Sequence, residues 1–181
     1  MMCDIHVNCC LQSFIAMLEI LKMYAAYNVW ANHRIIYHLL QMPEARWMEK
    51  TPSSFDSLYK TILHIWDAES VWWQRMRNHE SVIFPSVTFD PGMKDACNGL
   101  LHQSMEWEQL ILGEMNDEIL KANLYYQNKS GEQFTQPVFQ VVMHVFNHST
   151  YHRGQIITMM RALGETNLPK TDLIHFTRKK D

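Results

Sequence analysis

The length and composition of the chain favour one packed, mostly helical domain. The chain has 181 residues, of which 47% are hydrophobic and 12% aromatic, with only 6 glycines and 6 prolines. A chain of this size buries a sizeable core without disulfides, and the composition is typical of a globular protein rich in secondary structure. The net charge is −3 and the basic residues are scattered, so we expect no nucleic-acid partner.

The four cysteines predict reduced thiols rather than a disulfide framework. Cys3, Cys9 and Cys10 lie in the first ten residues, and Cys97 stands alone. This spacing is unlike that of a secreted scaffold, so we expect a cytoplasmic protein. The segment CDIHVNCC has no second Cys/His pair at zinc-finger spacing, and it lacks the features of a signal peptide. No stretch reaches about 20 apolar residues, so we expect no membrane partner.

The first two predicted helices follow from apolar spacing and from a capping signal. From about Leu11 to Met42 apolar residues recur at helical intervals, until Pro43 ends the pattern. Ser53, with Asp56 three residues later, resembles an N-cap and predicts a second helix that runs to about Asn78.

The second half of the chain predicts two more long helices. The segment HESVIFPSVTFDPG, with its two prolines, is predicted to be a long connection, and a third helix follows from about Met93 to Met115. LYYQNKSGEQFTQP then predicts a small hairpin. Pro137 suits the first turn of a fourth helix and Gly164 the position just after its end. The tail predicts one short helix.

The four long helices together predict the fold class. It is all-α, a four-helix bundle, in which ligand and metal sites lie between facing helices.

The stretch HVFNHSTYHRGQ places His144, His148 and His152 four residues apart. With 10 histidines in 181 residues, chance would give such a run about 0.03 times. On a helical wheel His148 and His152 lie about 60° and 20° from the centre of the apolar stripe, whereas His144 lies on the flank at about 100°. His144 and His152 are about 12 Å apart along the axis, so one ion would take a neighbouring pair.

The inward pair favours a metal site over a histidine-rich core. One inward histidine is more often a hydrogen-bonded core residue. His148 and His152 together would leave four ring nitrogens to satisfy, whereas a divalent ion takes one nitrogen from each ring. A further ligand must come from another helix. Periodicity leaves four candidates open: His33, His38, His64 and His102.

Four segments together resemble the DinB/YfiT superfamily of metal-binding helical bundles, meaning the damage-inducible DinB family and not the polymerase of that label. They are AYNVWANHRI (26–35), ILHIWDAESVWW (62–73), HVFNHSTYHRGQI (144–156) and LPKTDLI (168–174). The resemblance covers residues from about 18 to 176. It implies that His64, His148 and His152 hold a divalent metal ion, commonly zinc or nickel.

The resemblance also implies where the domain begins. Residues 1–16 precede the usual start of the first helix in that family. Two interpretations stay open: a natural N-terminal extension, which would be disordered, or a mis-assigned start with Met17 as the true first residue. In both, residues 17–181 form a single DinB-like helical bundle domain.

Two hypotheses of function stay open. Three imidazoles leave at least one coordination position for water or substrate, which fits a metal-dependent enzyme of the thiol S-transferase or hydrolase type acting on a small thiol or another small molecule. The alternative is a non-catalytic, stress-response bundle in which the metal stabilises the fold or a homodimer. Dimers are frequent in the resembling family, and the exposed aromatic surface that we expect on helices one and two favours pairing. No residue is assigned a catalytic role.

Residues around the histidine motif are expected to support it. Arg153 is expected to be solvated or ion-paired rather than to meet an acidic substrate. Gly154 costs about 1 kcal/mol within a helix, so we expect close approach of another helix or of substrate there. Gln155 and His144 are candidates for orienting the ligand rings. Asn32 is expected to pack between helices.

Overall fold

The computed structural model describes residues 4–178, and it describes side chains from residue 17 onward. Its elements in chain order are α1 (Asp4–Leu39), α2 (Leu58–Met76), α3 (Pro85–Thr88), α4 (Met93–Gly113), α5 (Asp117–Lys121), β1 (Asn123–Gln127), β2 (Gln133–Pro137), α6 (Val138–Ala162) and α7 (Leu173–Thr177). A 3-10 turn, Glu44–Arg46, lies between α1 and α2. The described chain is mostly helical, as predicted, with a small antiparallel sheet.

The long helices α1, α2, α4 and α6 pack against one another around the core. Both α1 and α2 contact α4 and α6. At one end Ile62, Leu100 and Ile156 join α2, α4 and α6 in a cluster of fully buried side chains. At the other end Trp107 of α4 meets Phe146 of α6, with ring centroids 6.1 Å apart. Each such aliphatic or aromatic side chain contributes about 1.5–3 kcal/mol when it is fully buried.

Helix α2 begins later than the capping signal predicts. Its N-cap is Ser57, whose Oγ accepts a hydrogen bond from the Lys60 backbone N–H at 3.3 Å. The prediction of Ser53 as the cap was wrong. The Thr51 backbone N–H donates to the Asp56 carbonyl oxygen at 2.9 Å, so the intervening residues close a loop before the helix. This loop passes beside the histidine motif of α6.

The predicted hairpin and the predicted end of the fourth helix are confirmed. Strands β1 and β2 pair antiparallel, with Tyr126 opposite Phe134. Gly164 follows α6 with a φ of 93°. Its N–H donates to the Arg161 carbonyl oxygen at 3.0 Å, and the next N–H donates to the Met160 carbonyl oxygen at 3.0 Å. These bonds form a Schellman motif, which needs a left-handed residue and so favours glycine.

The N-terminal predictions lie largely outside the described part of the chain. Helix α1 begins at Asp4, earlier than the predicted start near Leu11. Side chains before residue 17 are not described, so the interpretations of segment 1–16 stay predictions, as do the thiols of Cys3, Cys9 and Cys10. Cys97 is a free, buried thiol, and burial raises its pKa to about 12.

The lengths and hydropathy of the helices also bear on the membrane prediction. Among residues 4–178, none of the helices is both long enough and apolar enough to span a bilayer.

Candidate metal centre

Three histidine side chains from two helices converge on one point. The Nε2 atom of His148 lies 3.1 Å from Nε2 of His64 and 3.1 Å from Nε2 of His152. One potential ligand atom from each residue lies within 4.8 Å of the other two. His152 is buried, and His64 and His148 are half-buried. This arrangement could hold a metal ion.

Of the open candidates for a third histidine, the structure places His64 beside the pair. His33 and His102 are exposed, and His38 lies 3.5 Å from the carboxylate of Glu165. Helices α2 and α6 run antiparallel, because ring contacts pair His64 with His152 and, further along α2, Trp72 with His144. Periodicity could not show this, since it describes the faces of one helix and not which helix packs against it.

Gln155 fixes the orientation of the His152 ring. Its Oε1 lies 2.8 Å from Nδ1 of His152, and its Nε2 donates to Ser54 Oγ at 2.9 Å and to the Tyr151 hydroxyl at 3.1 Å. Because the amide nitrogen faces the two hydroxyls, the amide oxygen accepts the proton of His152 Nδ1. Nε2 of His152 then presents a lone pair toward the cluster. The expectation that Gln155 orients a histidine of the motif is confirmed, and the role of that histidine as a metal ligand stays a prediction.

The donor set fits a divalent ion better than it fits three hydrogen-bonded rings. If His148 carried its proton on Nε2, that single N–H could align with only one of its two neighbours at 3.1 Å. If the proton is on Nδ1, the proton has no acceptor, since that atom is buried without a hydrogen-bond partner among the described residues. Hydrogen bonding therefore accounts for at most one of the two 3.1 Å contacts of the ring. Lone pairs from all three Nε2 atoms would be satisfied by one shared cation.

Burial keeps the three rings neutral. Desolvation, together with the smaller effect of the neighbouring imidazoles, lowers the pKa of His64 to about 4 and that of His148 to about 3. Desolvation also lowers the pKa of His152, although its hydrogen bond to Gln155 acts in the opposite direction. Neutral imidazole is the form that binds metal, so the cluster is ready to bind at neutral and mildly acidic pH.

Aromatic side chains cover one end of the cluster. Phe55, from the loop before α2, stacks on His64 with ring centroids 4.0 Å apart and meets His152 at 5.7 Å. Tyr151 meets His152 edge-on at 5.0 Å. These rings exclude water from this end and contribute to the desolvation of the imidazoles.

Beneath the histidines lies a buried polar network centred on Glu69, which the sequence analysis missed. Glu69 is 0% exposed. Its carboxylate accepts hydrogen bonds from Ser149 of α6 and Ser104 of α4, both at 2.7 Å, and from Asn28 of α1 at 2.8 Å. Burial raises the pKa of Glu69, while these bonds oppose the rise. A carboxylate among the aliphatic and aromatic residues of ILHIWDAESVWW is the signal that could have revealed it.

Arg153 belongs to the same network, and the expectation of a solvated or ion-paired arginine was wrong. Its side chain is 1% exposed. Nη1 donates to Asn28 Oδ1 at 2.6 Å and to Asn32 Oδ1 at 2.8 Å, while Nη2 donates to Thr150 Oγ1 at 2.7 Å. Neighbouring residues on a helix point about 100° apart, so Arg153 turns into the core while His152 faces the cluster.

Gly154 does not accommodate a neighbouring helix. A Cβ atom at this position would meet no heavy atom within 4 Å. The expected close approach of another helix was therefore wrong, and approach of a substrate stays a prediction.

His144 remains on the flank of α6, as the helical wheel predicts. It is exposed, and its ring centroid lies 5.8 Å from that of His148 and 5.4 Å from that of Trp72. Because its contacts are with rings and it makes no hydrogen bond within residues 17–178, it does not orient a ligand ring. That expectation for His144 was wrong.

Comparison with known proteins identifies the family of this chain. The model of the DinB family matches residues 17–180. The chain is also similar to Protein DinB of Bacillus subtilis (strain 168), with 28% identity over 154 residues that cover 82% of this chain and 88% of that protein. The family match contains the whole histidine cluster and the Glu69 network, and the chain belongs to the DinB family.

Proposed function

We propose that the protein is a metal-dependent enzyme of the thiol S-transferase or hydrolase type. In this proposal His64, His148 and His152 hold a divalent ion, zinc or nickel. The observation that carries it is the convergence of three Nε2 atoms from α2 and α6, with separations of 3.1 Å from the central one. We further propose that the four long helices form the four-helix bundle of the resembling superfamily, with residues 17–181 as its domain.

The chemistry follows from the donor set and from the residues around it. An ion held by three neutral imidazoles keeps at least one position for another ligand, and there it lowers the pKa of a bound water or thiol. The chain itself supplies the geometry. Gln155 orients the His152 ring, Phe55 excludes water from His64, and Glu69 holds α6 against α2 through Ser149.

The proposed substrate is a small thiol or another small molecule, and the proposed setting is a cytoplasmic homodimer. The exposed side chains of Ile20 (56%) and Tyr37 (65%) on α1 support pairing. The aromatic side chains of α2 are half-buried instead, so the expectation of exposed aromatic surface on that helix was wrong.

Metal content tests the site directly. We would purify the wild type, His148→Ala and the matched control His102→Ala, whose histidine is exposed on α4, and measure bound metal by mass spectrometry. The wild type and His102→Ala should carry about one divalent ion per chain, and His148→Ala should lose it. Full occupancy in His148→Ala would remove that residue from the site.

Activity is tested separately by a screen of small thiols against an electrophilic acceptor. We expect thiol consumption by the metal-loaded wild type and its loss after chelation or in His148→Ala. A wild type that holds metal but stays inert would favour the alternative of a non-catalytic bundle whose ion stabilises the fold or a homodimer.

A further inference from the structure

A cleft beside the histidine cluster has the size of a site for one small ring. Its volume is about 260 Å³, and it is lined by Trp72, Tyr126, Gln136, Gln140, Val141 and His144. An apolar cavity of about 150 Å³ holds benzene, and pockets for drug-sized ligands begin at about 300 Å³. The cleft therefore suits a single substituted ring.

One wall of the cleft is aromatic and held in place. Trp72 and Tyr126 meet edge-on with ring centroids 4.8 Å apart. The Arg75 guanidinium lies over both rings, 4.5 Å from Trp72 and 5.0 Å from Tyr126, and Nη2 donates to the Gln127 carbonyl oxygen at 2.8 Å. These contacts hold the two rings in place, so the wall offers a fixed aromatic surface to an aromatic ligand.

The remaining lining supplies polar groups that are free to bind. The ring nitrogens of His144 and the side-chain amide of Gln140 make no hydrogen bonds within the described part of the chain. Gln136 uses its Oε1 to accept the Tyr126 hydroxyl proton at 2.7 Å, which leaves its amide nitrogen as a donor. An aromatic wall that faces a few polar groups is the usual makeup of a small-molecule site.

The position of the cleft relates it to the cluster. Phe55 and Tyr151 cover the cluster at the His152 end. His144 lies at the opposite end, one helical turn or about 6 Å along α6 from His148. The ring of His144 thus stands between the cleft and the cluster, and contacts both Trp72 and His148.

We propose that this cleft binds the electrophilic partner of the thiol, a small molecule with one aromatic ring and polar substituents, and that His144 hydrogen-bonds to a substituent. The identification of this molecule as the thiol's partner rests on the proposed function. Its binding does not require the metal, since none of the residues that line the cleft belongs to the cluster.

The probe is 1,3-dinitrobenzene, which is flat and uncharged and has no leaving group. Its affinity for the metal-free and metal-loaded protein is measured by NMR titration, and metal content is recorded on the same samples. Removing one hydrogen bond costs about fivefold in affinity, so we expect His144→Ala to bind the probe about fivefold more weakly and to keep its metal. Gln140→Trp fills the cleft from an exposed position and should abolish binding. His102→Ala is the matched control and should bind like the wild type.

The outcomes separate this inference from the proposed function. A wild type that binds no probe at millimolar concentration, or unchanged affinity in either His144→Ala or Gln140→Trp, would overturn the assignment of the cleft even if the metal is present. About fivefold weaker binding in His144→Ala, together with loss of binding in Gln140→Trp, supports it. A wild type without metal would count against the proposed function, while the titration of the metal-free protein still decides whether the cleft binds the ring.

Discussion

His152 and Gln155 are three residues apart on α6, and Nδ1 of the imidazole lies 2.8 Å from Oε1 of the amide. Residues at this spacing are neighbours on a helix surface, so one helix supplies both a candidate ligand and the group that sets its tautomer. The amide also binds Ser54 in the loop before α2. The orientation of the ring therefore depends on how that loop is seated.

Replacing Gln155 with methionine removes this acceptor while keeping the length of the side chain. We expect the metal affinity to fall about 10- to 100-fold, as is usual when a group that orients a metal-bound histidine is lost. Competition with a chromogenic chelator measures the change. Gln140→Met, at an exposed position on the same helix, is the control and should bind metal like the wild type. Equal affinities for Gln155→Met and the wild type would contradict the role of the bond.

Removing the Glu69 carboxylate should destabilise the fold. In Glu69→Ala the buried donors of Ser149, Ser104 and Asn28 lose their acceptor, and we expect the free energy of unfolding to fall by about 3 kcal/mol or more. Glu69→Gln should lose only about 1 kcal/mol, because its amide oxygen still accepts two of these bonds. Its amide nitrogen can donate to Ser104, whose hydroxyl also reaches the Leu100 carbonyl oxygen at 2.9 Å.

Urea unfolding of the metal-free proteins distinguishes these two variants. If Glu69→Ala and Glu69→Gln proved equally stable, the carboxylate would not be what joins the helices.

The stability of the metal-free protein should fall in acid. The pKa values of His64 and His148 are about 4 and about 3 in the folded protein, against a usual value of 6.5. At pH values between the folded and the usual pKa, the unfolded chain binds protons that the folded chain does not. The free energy of unfolding therefore decreases as the pH drops from about 6.5 to about 4. The contribution of the two neutral rings to the free energy of unfolding is fully present above about pH 6.5. Urea unfolding at a series of pH values measures it.

The matched variant for this experiment is His148→Ala. It has one such group fewer, so its stability should depend less steeply on pH over the same range. Glu69 acts in the opposite direction, because a raised pKa makes the folded protein bind more protons as the pH falls. Measuring both proteins in a Glu69→Gln background removes that contribution. Identical pH dependence with and without His148 would count against the desolvation of its ring.

Alanine at two glycines should change stability with opposite signs. Gly154 lies within α6 and a Cβ there meets nothing within 4 Å, so we expect Gly154→Ala to stabilise the protein by about 0.5–1 kcal/mol. Gly164 has a φ of 93°, so Gly164→Ala should destabilise it by about 1 kcal/mol or more. Calorimetric melting temperatures measure both effects. A lower melting temperature for Gly154→Ala would contradict the open space at that position.

The elements that the sequence predicts well are those set by local chemistry. Gly164 marks the end of α6 because few other residues adopt its conformation, and the hairpin around Lys129 follows from short β-favouring runs on either side of a turn. The inward direction of His148 and His152 follows from the period of one helix. The choice between Ser53 and Ser57 as the N-cap could not be made locally, because it depends on the loop closed between Thr51 and Asp56.

The parts that escape prediction depend on contacts between helices. Periodicity does not show which helices pack together, so only the pairing of α2 with α6 identifies His64 among the four candidates. Arg153 is a basic residue beside a histidine motif, and its burial depends on the amides of Asn28 and Asn32 in α1. Glu69 likewise requires donors from three other helices before its burial is favourable.

Each of the two cluster histidines of α6 is followed directly by an anchor of the buried network, His148 by Ser149 and His152 by Arg153. Insertion or deletion of a single residue between these pairs would rotate one pair by about 100° relative to the other. Such a change would disrupt the histidine cluster and the buried polar network at the same time. Divergence among relatives that keep this centre should therefore proceed by substitution along α6, with length changes confined to the loops and the hairpin around it.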